Sequence, residues 1–150
     1  MCSAPSLMET NSEIQLAIKF SSWPPSNWIH KSGKVGDKLA IRAGGDFHYD
    51  PSLTEKMPNL VLIAGGVGIN PLLSILLHLS TKCESSPNVE HFPEHLTLLY
   101  SAKSKEEILF KVSYSLFHFL RYHFSKYICS SRMSFQIWKL NWKLSLPPTS

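Results

Sequence analysis

Apolar and polar positions alternate between two rhythms near the middle of the chain. Leu60, Val61, Leu62, Ile63 and Ala64 form a short continuous apolar run with β-branched members, which predicts a strand buried on both faces of a parallel sheet. Three glycines follow in "GGVG". Then Leu72, Leu73, Ile75, Leu76, Leu77 and Leu79 recur with helical spacing, broken by Ser74 and His78. Asn70 is expected to cap this helix and Pro71 to occupy its first position, where a missing N–H and a fixed φ are no disadvantage. The pattern predicts strand, glycine turn, helix. "KCESSPNVEHFPEH" (82–95) reads as a polar loop after the helix.

Such a corner aims free backbone N–H groups and the positive end of a helix dipole at one point. Gly65, Gly66 and Gly68 let an anion approach the main chain, and a dinucleotide pyrophosphate is the natural occupant. The alternative is a tight turn whose glycines serve packing alone. The spacing is neither G-x-G-x-x-G nor the lysine-bearing P-loop, which argues against nucleotide triphosphate hydrolysis.

The segment "AGGVGINPLLS" (64–74) resembles the pyridine-nucleotide motif A-G-G-x-G-I-x-P-x-x-S of the ferredoxin–NADP reductase superfamily, without a gap. "LTLLYSAKSKEEILF" (96–110) resembles the next strand and helix opening of the same domain. "KVGDKLAIRAGGDFHYDP" (34–51) resembles the last strands of the superfamily's flavin barrel, and "CSAPS" (2–6) the strand after its R-x-Y-S flavin motif. The fold class this implies is α/β with a β remnant. A partial antiparallel flavin-type barrel (1–53) precedes an incomplete parallel-sheet NAD-binding domain (54–111), and a divergent basic tail (112–150) is unstructured or helical.

The resemblance also implies an activity, hydride exchange between NAD or NADP and FAD, with the electron acceptor unspecified. It implies that Gly65, Gly66, Val67, Gly68, Ile69 and Asn70 line the pyrophosphate site of a nicotinamide dinucleotide, and that Lys103 lies where the superfamily distinguishes NAD from NADP. It assigns no catalytic residue here. The chain departs from the superfamily at three places. R-x-Y-S is absent; the flavin-phosphate turn reads "WPPSNW", where Pro24 and Pro25 remove two donors; and the nicotinamide-facing C-G-P is missing, Cys129 being followed by Ser130 and Ser131. The departures predict weak or absent flavin chemistry. A non-catalytic fragment that keeps only a pyrophosphate-binding turn is the alternative function.

Charge marks the boundary of the resemblance. The stretch to Glu107 holds nine basic and all eleven acidic residues, a balance of −2, while the remainder holds six basic residues and no acid. Lys-Val-Ser (111–113) is encodable as AAG-GTA-AGT, the form of a splice donor read through into an intron, so the tail is expected to be foreign to the fold. Within it, "SYSLFHFLRYHFSKYI" (113–128) places Leu116, Phe117, Leu120, Phe124 and Tyr127 on one helical side. Its basic and aromatic residues suggest a membrane-surface helix or a nucleic-acid contact, but accidental composition is the stronger reading, and no nucleic-acid partner is expected.

His91 and His95 are four apart, but Pro93 stands between them and no further ligand pair is near, so no metal site is expected. Cys2, Cys83 and Cys129 are scattered and odd in number, which fits reduced thiols. No apolar run approaches the ~18 residues of a membrane span. The resemblance suggests a mitochondrial location, yet no arginine-rich presequence opens the chain, so a cytoplasmic one is equally consistent.

Overall fold

The computed structural model describes residues 1–42, 44–52, 54–85, 91–104 and 107–110, together with the backbone of 123–131 and 133–141. The elements are α1 (Pro5–Asn11), α2 (Pro24–Lys31), β1 (Leu60–Gly65), a single 3₁₀ turn (Gly66–Gly68), α3 (Ile69–Ser85), β2 (His95–Ala102), β3 (His123–Ser131) and β4 (Met133–Asn141). Four strands form one sheet in the order β1-β2-β4-β3. The β1–β2 pair is parallel, from Leu60 opposite Leu96 to Gly65 opposite Ser101, while β4 runs antiparallel to both β2 and β3.

The strand–turn–helix–strand unit expected from the sequence is therefore present. Its core is one cluster: Leu72, Leu73, Leu76 and Leu79 of α3 with Ala64 of β1 and Leu96, Leu98 and Tyr100 of β2, extended by Cys2, Met57, Phe92 and Ile108. Period-2 burial along β2 places Leu96, Leu98, Tyr100 and Ala102 inward, as one covered sheet face requires. The opposite face is bare at β1, where Val61 and Ile63 are 63% and 72% exposed. A sequence suited to burial on both faces is thus buried on one.

Three sequence expectations are corrected. First, the antiparallel barrel is not seen: among the described residues of 1–59 no strand forms. The stretch resembling a strand after R-x-Y-S instead enters α1, because Pro5 is a good first helical residue. The described residues of 34–51 carry no helix or strand, and Gly36 and Gly45 hold positive φ (98° and 95°), which interrupts any ladder. His30 lies in the last turn of α2 and His48 in this stretch. Second, α3 begins at Ile69, so Asn70 is inside the first turn and does not cap it.

The third correction concerns the tail. Its described part is neither helical nor irregular but a pair of β-strands, and His123–Ser131 takes in Phe124 and Tyr127 from the expected helix. Aromatic and β-branched residues favour extended backbone, and "MSFQI" (133–137) alternates with period 2, a rhythm that competes with the helical reading. The N-terminal half of that reading, 113–122, lies outside the described residues, as does Cys129's side chain.

Segment 2–20 is held against α3 by polar ties. The Ser74 hydroxyl donates to the Ser3 carbonyl (2.7 Å), the Gln15 N–H to the Ser3 hydroxyl (3.1 Å), and the Cys2 N–H to the Gln15 carbonyl (2.9 Å). Residues 50–51 are tied to the same helix: Asp50 accepts from Lys82 and from His78 Nε2 (3.0 Å). The Lys82 bond, then the His78 bond, holds the Asp50 carboxyl down at about 2.

Candidate dinucleotide site at the glycine corner

The carboxyl ends of β1 and β2 lie side by side, and the chain leaves each at the same edge of the sheet. In parallel α/β units this is where ligands sit. β1 hands over to Gly66 with φ at +52°, a left-handed backbone that glycine adopts without strain. The single 3₁₀ turn then feeds α3, with the Ile69 N–H closing onto the Gly66 and Val67 carbonyls; a helical start of this kind leaves its earliest N–H groups without partners inside the helix. A Cβ on Gly66 or on Gly68 would meet nothing within 4 Å, so both glycines border open space.

The space beside Gly66 belongs to a cavity of 310 Å³ lined by Ala17, Ile18, Lys19, Gly66, Val67, Glu107 and Leu109. Three stretches far apart in the chain build it: the N-terminal segment, the glycine turn, and the residues after β2. Lys19 Nζ and the Glu107 carboxylate pair at 3.1 Å, and both remain partly exposed (54% and 38%). A pair so exposed is weak, typically about 0–1 kcal/mol, and either partner is available to a stronger ligand. Below the cavity the Tyr100 hydroxyl accepts the Leu109 N–H (3.4 Å), which anchors that wall to β2, and burial pushes the phenol upward from its ordinary pKa.

The structure brings some of the expected site residues together and sets others apart. Gly65 ends β1, and Gly66, Val67 and Gly68 form the turn; Gly66 and Val67 line the cavity. Ile69 and Asn70 open α3 and are buried, at 1% and 7% exposure. Asn70 uses its side chain differently from the expected cap: Nδ2 donates to the Ala17 carbonyl at 2.7 Å. Lys103 follows the end of β2 with its side chain exposed, away from the cavity lining. His91 and His95 fall before and at the start of β2, and among the described residues no three His, Cys, Asp or Glu side chains gather as a metal site. Among them, too, no helix is long and apolar enough to cross a membrane.

Sequence reasoning missed Lys19 and Glu107. They are 88 residues apart, and no local pattern marks either one.

The cavity suits part of a dinucleotide. Its volume is near the lower bound for small-molecule sites, about 300 Å³, the glycine turn offers N–H donors, and Lys19 offers a positive charge.

Comparison with known proteins gives the same direction. A zebrafish (Danio rerio) protein named Oxidoreductase NAD-binding domain-containing protein 1 is 43% identical over 111 residues, covering 74% of this chain and 41% of the relative. Its namesake from Pongo abelii is 40% identical over 146 residues, covering 96% of this chain and 46% of the relative. A Flavohemoprotein from Candida albicans is 42% identical over 82 residues, which is 54% of this chain and 17% of that protein. The chain therefore spans less than half the length of the curated relatives it matches. No protein-family model matches it, and no solved structure matches it significantly.

Proposed function

Because the chain is homologous over most of its length to the proteins named Oxidoreductase NAD-binding domain-containing protein 1, we propose that it binds the pyrophosphate of NAD(H) or NADP(H) at the Gly66–Gly68 corner. One observation carries this reading: a 310 Å³ cavity joins Gly66 and Val67 of a positive-φ glycine turn to the ammonium group of Lys19. The turn supplies uncharged N–H donors and the start of α3 a favourable dipole. Lys19 adds the long-range attraction, and to use it fully it leaves Glu107. Gly65, Gly68, Ile69 and Asn70 shape the corner around that contact.

When bound, a nicotinamide supplies hydride transfer. The residues of this chain supply binding and orientation: they hold the phosphates and exclude water from one side with Ile18, Val67 and Leu109. The chemistry proposed for the whole-length relatives is NAD(P)H-dependent oxidoreduction. For this chain we favour binding without efficient turnover, since Pro24 and Pro25 remove two backbone donors from the stretch that resembles the flavin-phosphate turn.

Titration calorimetry with NADH and with its adenine half, ADP-ribose, tests the proposal. Similar, weak heats with both ligands are expected, because the corner holds phosphates and no described element clasps the nicotinamide. A folded chain giving no heat with either ligand would leave the corner as a turn only. The binding-only reading is tested by the purified chain's colour, since a stoichiometric flavin band at about 450 nm would overturn it.

A further inference from the structure

Residues Ala17, Ile18 and Lys19 form a strap along one wall of the cavity, and they belong to no helix or strand. Three consecutive carbonyls of this strap each accept a hydrogen bond from a different side chain. Asn70 Nδ2 reaches the Ala17 carbonyl at 2.7 Å, His30 Nε2 the Ile18 carbonyl at 2.9 Å, and the Ser26 hydroxyl the Lys19 carbonyl at 2.8 Å. A carbonyl can only accept, so His30 presents a protonated Nε2 here. His30 and Ser26 both lie on α2, whereas Asn70 lies on α3, two residues beyond the glycine turn. The Asn70 bond therefore joins the strap directly to the helix whose N-terminus completes the corner.

The rest of the Asn70 side chain argues that this donor is what the position is for. Asn70 is 7% exposed, and its Oδ1 is buried without a hydrogen-bond partner among the described residues. A buried acceptor left unmatched costs about 1–3 kcal/mol. An apolar side chain of the same volume would remove the unmatched oxygen and the Ala17 bond together, two opposed effects, so the bond to Ala17 is the specific contribution of the amide.

We infer that Asn70 is a positioning residue for the dinucleotide: by grasping the Ala17 carbonyl it sets the strap, and with it Lys19, at the right height above the glycine corner. This rests on the nucleotide reading above. The strap crosses 53 residues of sequence to reach Asn70. Without that grip Lys19 would still pair with phosphate, but only after the strap had been ordered at the ligand's expense.

The test uses the whole chain with Asn70→Leu, Asn70→Ala and, as control, Ser74→Ala. The control cuts the neighbouring tie from α3 to Ser3 and leaves the strap's carbonyls alone. Asn70→Leu should leave the melting temperature close to wild type, since it removes the unmatched Oδ1 and the Ala17 bond together, while weakening ADP-ribose binding about tenfold by calorimetry. Ser74→Ala should lower the melting temperature and leave affinity within about twofold. Wild-type affinity in either Asn70 variant overturns the inference, and so does an equal loss of affinity in the control. Should neither Asn70 variant fold, hydrogen exchange on the wild-type chain decides. ADP-ribose should slow the amides of Ile18, Lys19 and Phe20, and unchanged exchange there overturns the inference. Failure of the nucleotide reading looks different: the wild-type chain itself would bind neither NADH nor ADP-ribose.

Discussion

Gly66 and Gly68 are two residues apart and both border open space, yet only Gly66 has a left-handed backbone, with φ at +52°. Substituting alanine at each adds the same methyl group and separates two effects that a single mutation would confuse. At Gly66 the methyl meets a left-handed penalty of roughly 1–2 kcal/mol. A gain of about 0.4–1 kcal/mol from the stiffer unfolded chain offsets part of it. The net expectation is a loss of about 0.5–1.5 kcal/mol. At Gly68 the penalty is missing, and the same gain makes the variant about 0.4–1 kcal/mol more stable. A domain of this size moves by a few degrees per kcal/mol, about 2–8 °C, so thermal melts should shift in opposite directions. Binding should not divide that way. On the proposed reading the pyrophosphate lies against both glycines, so both variants should lose at least about tenfold in affinity for ADP-ribose. The decisive result is Gly68→Ala. If it is as stable as expected and binds with wild-type affinity, the phosphates do not approach that side of the turn.

Three further outcomes follow from the fold. Leu98→Ala, at a core position only 2% exposed, should cost about 2–5 kcal/mol in urea unfolding, and a loss below 1 kcal/mol would mean the α3–β2 interface is loosely packed. Asp50 titrates at about 2 because Lys82 and His78 hold its charged form. The stability it confers is therefore full above its unfolded pKa near 4 and disappears as pH falls toward 2. Because Asp50 is 62% exposed, the effect is about 0–1 kcal/mol, and unfolding of wild type and Asp50→Asn should differ at pH 6 but converge near pH 2. A larger gap at low pH would contradict the assignment. Deleting everything after Phe110 removes β4 from its ladder with β2, so amides of β2 that bond toward β4 should exchange faster, and unaltered protection there would show that the pairing contributes nothing.

The corner was legible because its signals are local. An apolar β-branched run, glycines, Asn70 and Pro71 lie within a dozen residues, and each constrains the backbone wherever the rest of the chain goes. The helix start was placed wrongly by the same local logic, since Asn70 is as good a donor to a distant carbonyl as it is a cap, and only the arrival of Ala17 decides between them. Residues 34–51 resemble the superfamily's last barrel strands, but a strand exists only with a neighbour to bond, and none is at hand among the described residues. The aromatic tail segment satisfied helical and extended spacings at once, and β4's partnership with β2 favoured the second. Lys19 and Glu107 were invisible for a simpler reason: their meaning lies in proximity across 88 residues.

The strap has one more consequence. Its wall of the cavity comes from the first twenty residues and is secured mainly by single hydrogen bonds to side chains, not by a ladder. Opening it uncovers little of the α3–β2 core, so an undocked chain can remain folded while lacking a binding site. Ligand affinity then carries the docking equilibrium as a factor: were the strap seated one-tenth of the time, the measured dissociation constant would be about ten times the intrinsic one. Anything that seats residues 17–19, including the remaining length of a longer relative packed against them, would tighten nucleotide binding without touching the nucleotide.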